Sequence, residues 1–244
     1  WPRHRDALVK REVSYDDFDK SVLGDALTSP AAATVSILLD TRAYDVICGA
    51  PTPASGRGRG ALDDHLPPQL ADQLIKIAAR DAQKRGRPAD AARLHSLTGD
   101  DVSVLRVLVE RLGQVVSTTN DADRTFWLET CNDFAERRIA AVVNELRASD
   151  EEELGYAFES LLNLAQFFDA VRADACSDAL RSLDATRFVP STDDSVGPCL
   201  DAFYRRDPTV QRLLPEVLGA TMDVITKAYQ SGRRARQDAR FASA

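Results

Sequence analysis

Residues 100–116 read DDVSVLRVLVERLGQVV, residues 121–146 read DADRTFWLETCNDFAERRIAAVVNEL, and residues 149–168 read SDEEELGYAFESLLNLAQFF. In each an acid or hydroxyl residue opens a run whose apolar residues recur at spacings of three and four: Leu105, Leu108, Val109, Leu112 and Val116; Trp127, Cys131, Phe134, Val142 and Leu146; Leu154, Phe158, Leu161, Leu162, Ala165 and Phe168. That spacing lays the large side chains on one stripe of an α-helix, whereas a strand would need strict alternation. The fold class read from it is all-α, an irregular helical bundle or a degenerate α-solenoid with stacking of the HEAT or armadillo kind.

The same pattern extends outward in both directions. Phe18, Val22, Leu23 and Leu27 predict a helix near 15–27 behind the Ser14/Asp17 start signal, and Ser29-Pro30 opens another that runs to Cys48 and stops at Gly49. Leu70, Leu74, Ile75 and Ile77 predict a helix ending at Gly86, and Pro88 to Leu97 a shorter one ending at Gly99. The pattern after Asp150 should break near Arg172 to Asp174, and 187–198 should be a loop. Pro198, Pro208 and Pro215 each suit a first helical turn, the last opening a helix that stops at Gly232. The total is about nine or ten helices, with start positions that follow no constant period.

Four of the 12 glycines and four of the 11 prolines fall between residues 49 and 68, around the tract SGRGRG at 55–60. So little apolar side chain cannot offset the entropy of ordering, which predicts a mobile loop or linker. The expected organisation is therefore an amino-terminal helical pair (1–48), a Gly/Pro/Arg linker (49–68), a main helical domain (69–232) and a basic tail (233–244).

With 244 residues, 44% hydrophobic and 28% charged, the chain has ordinary globular composition. Its formal net charge of -7 lacks the basic excess of a dedicated nucleic-acid binder. Cys48, Cys131, Cys176 and Cys199 are scattered without a Cys-x-x-Cys pair. They are expected to be buried thiols in a reducing compartment. The stretch 31–50 is broken by Asp40, Arg42 and Asp45, so no membrane span is expected. A first residue Trp1 and a single methionine, Met222, suggest a domain of a longer protein or a mature form that has lost a leader, in the cytoplasm or an organelle matrix.

No catalytic or metal set stands out, and no cofactor is expected. Asp16, Asp17 and Asp19 fall short of an Asp-Asp-x-x-Asp metal motif because the third acid comes one position early, and Asn132-Asp133 lacks the hydroxyl and carboxylate of its counterpart. His4, His65 and His95 are not at ligand spacing and are expected at the surface; Asp63-Asp64-His65 adjoins the Gly/Pro tract, a poor platform for a metal.

Two features suggest binding. Phe126-Trp127 and Phe167-Phe168 place rings about 100 degrees apart on a helix, so one member of each pair is a candidate for a protein interface. Arg57 and Arg59 alternate with glycine, Arg85 and Arg87 belong to a basic helix end, and Arg233, Arg234 and Arg236 lie in the tail; these are the candidate nucleic-acid contacts. Acid gathers at Glu145, Asp150, Glu151, Glu152, Glu153 and Glu159, and the separation of the two signs complements helix ends or steers a charged partner.

The function expected is thus non-enzymatic: a scaffold or adaptor domain binding other protein subunits within a larger complex. The alternative is an RNA-associated subunit of a ribonucleoprotein using the arginines. A third reading is an all-α enzyme whose carboxylates are scattered in sequence. A general likeness to helical-repeat proteins transfers no site.

Overall fold

The computed structural model describes residues 30–52, 57–119, 122–149, 151–186, 188–190 and 192–242, with backbone alone for Pro30, Asp193 and 232–242. The expected helix near 15–27, the acidic cluster at Asp16, Asp17 and Asp19, and His4 lie outside the described residues. What is described is all-α, with thirteen helices among those residues. The chain divides into two compact units, Trp1–Val104 and Leu105–Ala244.

In the first unit α1 (Pro30–Thr41) and α2 (Tyr44–Ile47) replace the single helix expected over 30–48. The break is Arg42, whose φ of 53° is left-handed. It turns the chain so that Tyr44 is buried, with its hydroxyl pushed up to about 12 by that burial and by hydrogen bonding to Asp90. After α3 (Ala61–His65), α4 (Pro68–Lys84) and α5 (Pro88–Leu97) form the main pairing, and α1 also packs on α4. The stripe Ala71, Leu74, Ile75, Ala78, Ala79 and Ala82 is buried on α4, facing Ala91, Ala92, Leu94 and Leu97 on α5. Alanine at so many of these positions lets the backbones approach closely.

Both helices end as their sequence predicts. Gly86 has φ 70°, its N–H meets the Gln83 carbonyl at 3.0 Å and the next N–H, of Arg87, meets Ala82 at 2.9 Å; Gly99 repeats the arrangement with Ser96 and His95. Two carbonyls of the last turn are thereby satisfied in each case. His95 is a correction: it is buried, because it shares the stripe of Ala91 and Leu94, and its Nδ1 lies 3.6 Å from Asp100. Asp100 accepts the Ser103 N–H at 3.1 Å and so caps the following helix, and the neighbouring His95 imidazole together with that N–H holds its carboxyl well below the usual carboxylate range.

The stretch read as a linker carries more order than its composition requires. An antiparallel bridge joins Pro51 to Arg57, and the Gly58 N–H donates to Ala50 at 2.7 Å. A Cβ at Gly49, where φ is 95°, would sit 2.0 Å from the Gly58 carbonyl oxygen, and one at Gly60 would sit 2.3 Å from the Gly49 nitrogen. Glycine is needed here for backbone against backbone.

The division between units falls inside α6 (Asp101–Val115). In the second unit the helix expected from Asp121 to Leu146 is two, α7 (Ala122–Arg137) and α8 (Ile139–Ala148), interrupted at Arg138. Then α9 (Glu152–Arg172) folds back through a tight turn onto α10 (Cys176–Thr186). That turn has Asp174 at φ 55° in the position glycine takes after α4 and α5. A 3-10 turn (Asp193–Ser195), α11 (Val196–Arg205), α12 (Pro208–Gln211) and the 29-residue α13 (Leu214–Ala242) complete the unit.

α9 is its central helix, touching α8, α10, α12 and α13. Around it Phe134 and Phe158 meet edge to face at 6.0 Å. α13 does not stop at Gly232: it runs ten residues further, because Arg233, Arg234, Ala235, Arg236 and Gln237 are good helix formers and a single glycine costs only about 1 kcal/mol. The thirteen described helices exceed the nine or ten expected because two predicted helices are broken and α3 is too short to show a period.

Candidate interaction surface

The aromatic pairs occupy different places. Trp127 is buried, donates its Nε1–H to Asp123 at 3.1 Å and lies under the Arg111 guanidinium at 5.8 Å, while Phe126 beside it is 50% exposed. Phe167 and Phe168 are both buried. Neither offers an interface, because α9 is surrounded closely enough to cover two adjacent positions. Phe126 is the member of the four that faces outward.

The arginines are paired within their own unit. Arg57 is half-buried, its side chain 8% exposed: its Nη1 and Nη2 bind the two Asp63 oxygens at 2.6 and 2.8 Å, Nε binds Asp72 at 2.9 Å, and Nη1 also reaches the Cys48 carbonyl at 2.7 Å. Asp63 is held below the usual carboxylate range chiefly by this guanidinium, and it accepts the Gly60 N–H at 2.8 Å. Arg59 pairs with Asp64 at 2.7 Å and Arg85 with Asp81 at 2.8 Å. Arg87 pairs with Asp90 at 2.6 Å and donates to the Leu39 carbonyl at 2.9 Å. A phosphate would have to displace a carboxylate at each of these four. Arg233, Arg234 and Arg236 fall on the last turns of α13, and their side chains lie outside the described residues. The acidic turn is similarly engaged, Glu151 with Arg106 at 3.0 Å and Glu152 with Arg147 at 3.5 Å.

Burial pushes the Cys48 and Cys131 thiols up to about 12, which leaves both unreactive; Cys176 and Cys199 are half-buried. Among the described residues no three His, Cys, Asp or Glu side chains gather as a metal site, and no helix is long and apolar enough to cross a membrane. The cleft in the second unit, about 490 Å³, is lined by Glu153, Tyr156, Ser160, Thr186, Arg206 and Asp207. Arg206 spans its floor, donating to Thr186 at 2.6 Å and to Ser160 at 3.3 Å and stacking over Phe188.

The second unit also displays apolar stripes that the reading of aromatic pairs missed. On α11, Val196, Leu200 and Tyr204 are exposed at spacings of four, and that helix has no buried residue. On α13, Leu218, Met222, Ile225 and Tyr229 are exposed at spacings of four, three and four, one position after the buried Val217, Thr221 and Val224. Helical spacing of the two sets was the available signal; it shows that α13 has two apolar faces about 100 degrees apart.

Residues 27–243 of this chain match the Nup93/Nic96 family. The chain belongs to that family. Nuclear pore complex protein Nup93 of Danio rerio is 24% identical over 197 residues, 80% of this chain and 23% of its own length. The protein of that name in Xenopus tropicalis is 26% identical over 196 residues, with the same shares. Nup93-1 of Drosophila melanogaster is 29% identical over 159 residues, 64% of this chain and 19% of its own. The chain thus spans less than a quarter of the relatives it matches. The Nup93/Nic96 match covers both units, α11 and nearly all of α13. The all-α fold agrees with it.

Proposed function

We propose that this chain is a structural part of the nuclear pore complex, a scaffold segment that holds neighbouring pore proteins against the outer faces of its helices. The observation that carries the proposal is the family match over residues 27–243, together with relatives named as nuclear pore complex proteins. The exposed rows on α11 and α13 support it, since exposed apolar stripes on packed helices suit recognition of another protein chain. This reading puts the chain at the nuclear envelope rather than in an organelle matrix. The ribonucleoprotein alternative draws no support from the relatives, and Arg57, Arg59, Arg85 and Arg87 already have carboxylate partners.

The test is to tag the full-length protein in its own cells, locate it, and purify its complexes with and without nuclease. The expected result is a nuclear-rim signal and a set of pore proteins that persists after nuclease. A diffuse signal with no such set, or partners that vanish with RNA, overturns the reading.

A further inference from the structure

Ser149 is followed in sequence by Asp150, Glu151, Glu152 and Glu153, and no other serine or threonine of the chain is followed by four acids in a row. It lies exposed in the turn between α8 and α9, its hydroxyl donating to the Glu145 carbonyl at 3.0 Å and to the Leu146 carbonyl at 3.3 Å. The turn is lightly anchored. Leu146 is the last buried residue of α8 and Ala157 the first of α9, and no described residue between them is buried. The first turn of α9 has no side-chain cap, and Glu152 and Glu153 within it are exposed. Unwinding that turn therefore uncovers no core, and local opening of this kind costs far less than unfolding the unit.

We propose that Ser149 is a phosphorylation site for an acidophilic serine kinase, one whose basic substrate groove reads acids on the carboxyl side of the target hydroxyl. The recognition is one of charge pattern, and the opened turn presents the hydroxyl and the acids together. ATP is the phosphate donor. The Ser149 hydroxyl gives its proton to the kinase's base, Oγ bonds to the γ-phosphorus, and the bond from that phosphorus to its bridging oxygen breaks, releasing ADP. The product has consequences for the turn. A donor to two last-turn carbonyls becomes a group carrying roughly -1.5 to -2 charge at the negative end of the α8 dipole, next to Glu151, Glu152 and Glu153. The exposed Arg106 and Arg147 hold Glu151 and Glu152, so the phosphate competes with those carboxylates for them. Phosphorylation thus loosens the turn, weakening the bonds from the Ser149 N–H to Glu145 at 3.1 Å and from the Glu151 N–H to Leu146 at 3.0 Å.

The experiment treats the full-length protein with casein kinase II and labelled ATP, maps the phosphate by mass spectrometry, and looks for the same phosphate in protein purified from its own cells with phosphatase inhibitors. Phosphate at Ser149 is expected in both, absent in Ser149→Ala. Glu152→Gln alters one exposed acid, keeps the hydroxyl, and should slow labelling about tenfold. If a peptide of residues 143–156 is labelled at Ser149 while the folded protein is not, the fold withholds the hydroxyl and the proposal is overturned. It is equally overturned if protein from cells carries no phosphate at Ser149, or if Glu152→Gln is labelled as fast as the wild type. Hydrogen exchange then reads the turn: the Ser149 and Glu151 amides should exchange several-fold faster after phosphorylation, and unchanged exchange overturns the loosening.

Discussion

The turn around Arg57 and the outer face of α13 treat their side chains in opposite ways. Arg57 is a charged group taken out of water, with four of its hydrogen bonds directed to Asp63, Asp72 and the Cys48 carbonyl. Ile225 and Met222 are hydrocarbon left in water, 49% and 64% exposed. A buried guanidinium persists because its donors meet carboxylates and a carbonyl in good geometry, and that arrangement locks a segment with little hydrocarbon of its own. The exposed row on α13 contributes little to the fold of the described residues. The first region is satisfied within the chain, and the second leaves hydrocarbon in water.

The contrast breaks most visibly at Arg57. Arg57→Ala removes the cation while leaving Asp63 shielded and held by the Gly60 N–H, and should destabilise the first unit by about 3–4 kcal/mol, read from the urea midpoint. If the loss is below about 1 kcal/mol, the turn is not the structural device described. Gly49→Ala should cost about 2–3 kcal/mol, because the added carbon must displace the Gly58 carbonyl and the φ of 95° is strained for any L side chain.

A smaller effect follows from acid. Asp63 and Asp100 are both held below the usual carboxylate range, so their contribution is fully present above the unfolded value near pH 4 and is lost as pH falls through the folded values. Urea midpoints should therefore drop between pH 6 and pH 3, and Asp63→Asn, already lacking one of the two, should drop less over the same interval. An equal drop in both proteins would remove Asp63 from the account.

These two regions also mark where the sequence was legible. Helix class came from spacing, and the ends at Gly86 and Gly99 came from glycine in the left-handed position. The breaks at Arg42 and Arg138 were invisible, because apolar spacing runs straight through them and tertiary packing decides. Arg57 reads as a solvated arginine in an Arg-Gly tract, since its partners Asp63 and Asp72 are separated from it by six and fifteen residues and form no local motif. The surface was least legible of all. Val224 and Ile225 both look like core residues; which one faces neighbouring helices depends on where α9 and α10 lie, and no residue of α13 encodes that.

The smallest expected effect is the sharpest test of the α13 face. Val224→Ala removes two carbons from a packed position and should cost about 2 kcal/mol. Ile225→Ala, the next residue on the same helix, removes more hydrocarbon and should shift stability by no more than about 0.5 kcal/mol, because those atoms are half in water in either state. Sequence-based hydrophobicity ranks the two substitutions the other way round, so a thermal melt on each separates burial from composition. Should Ile225→Ala prove as costly as Val224→Ala in the isolated protein, something within the chain already covers that face, and α13 has no second side to offer.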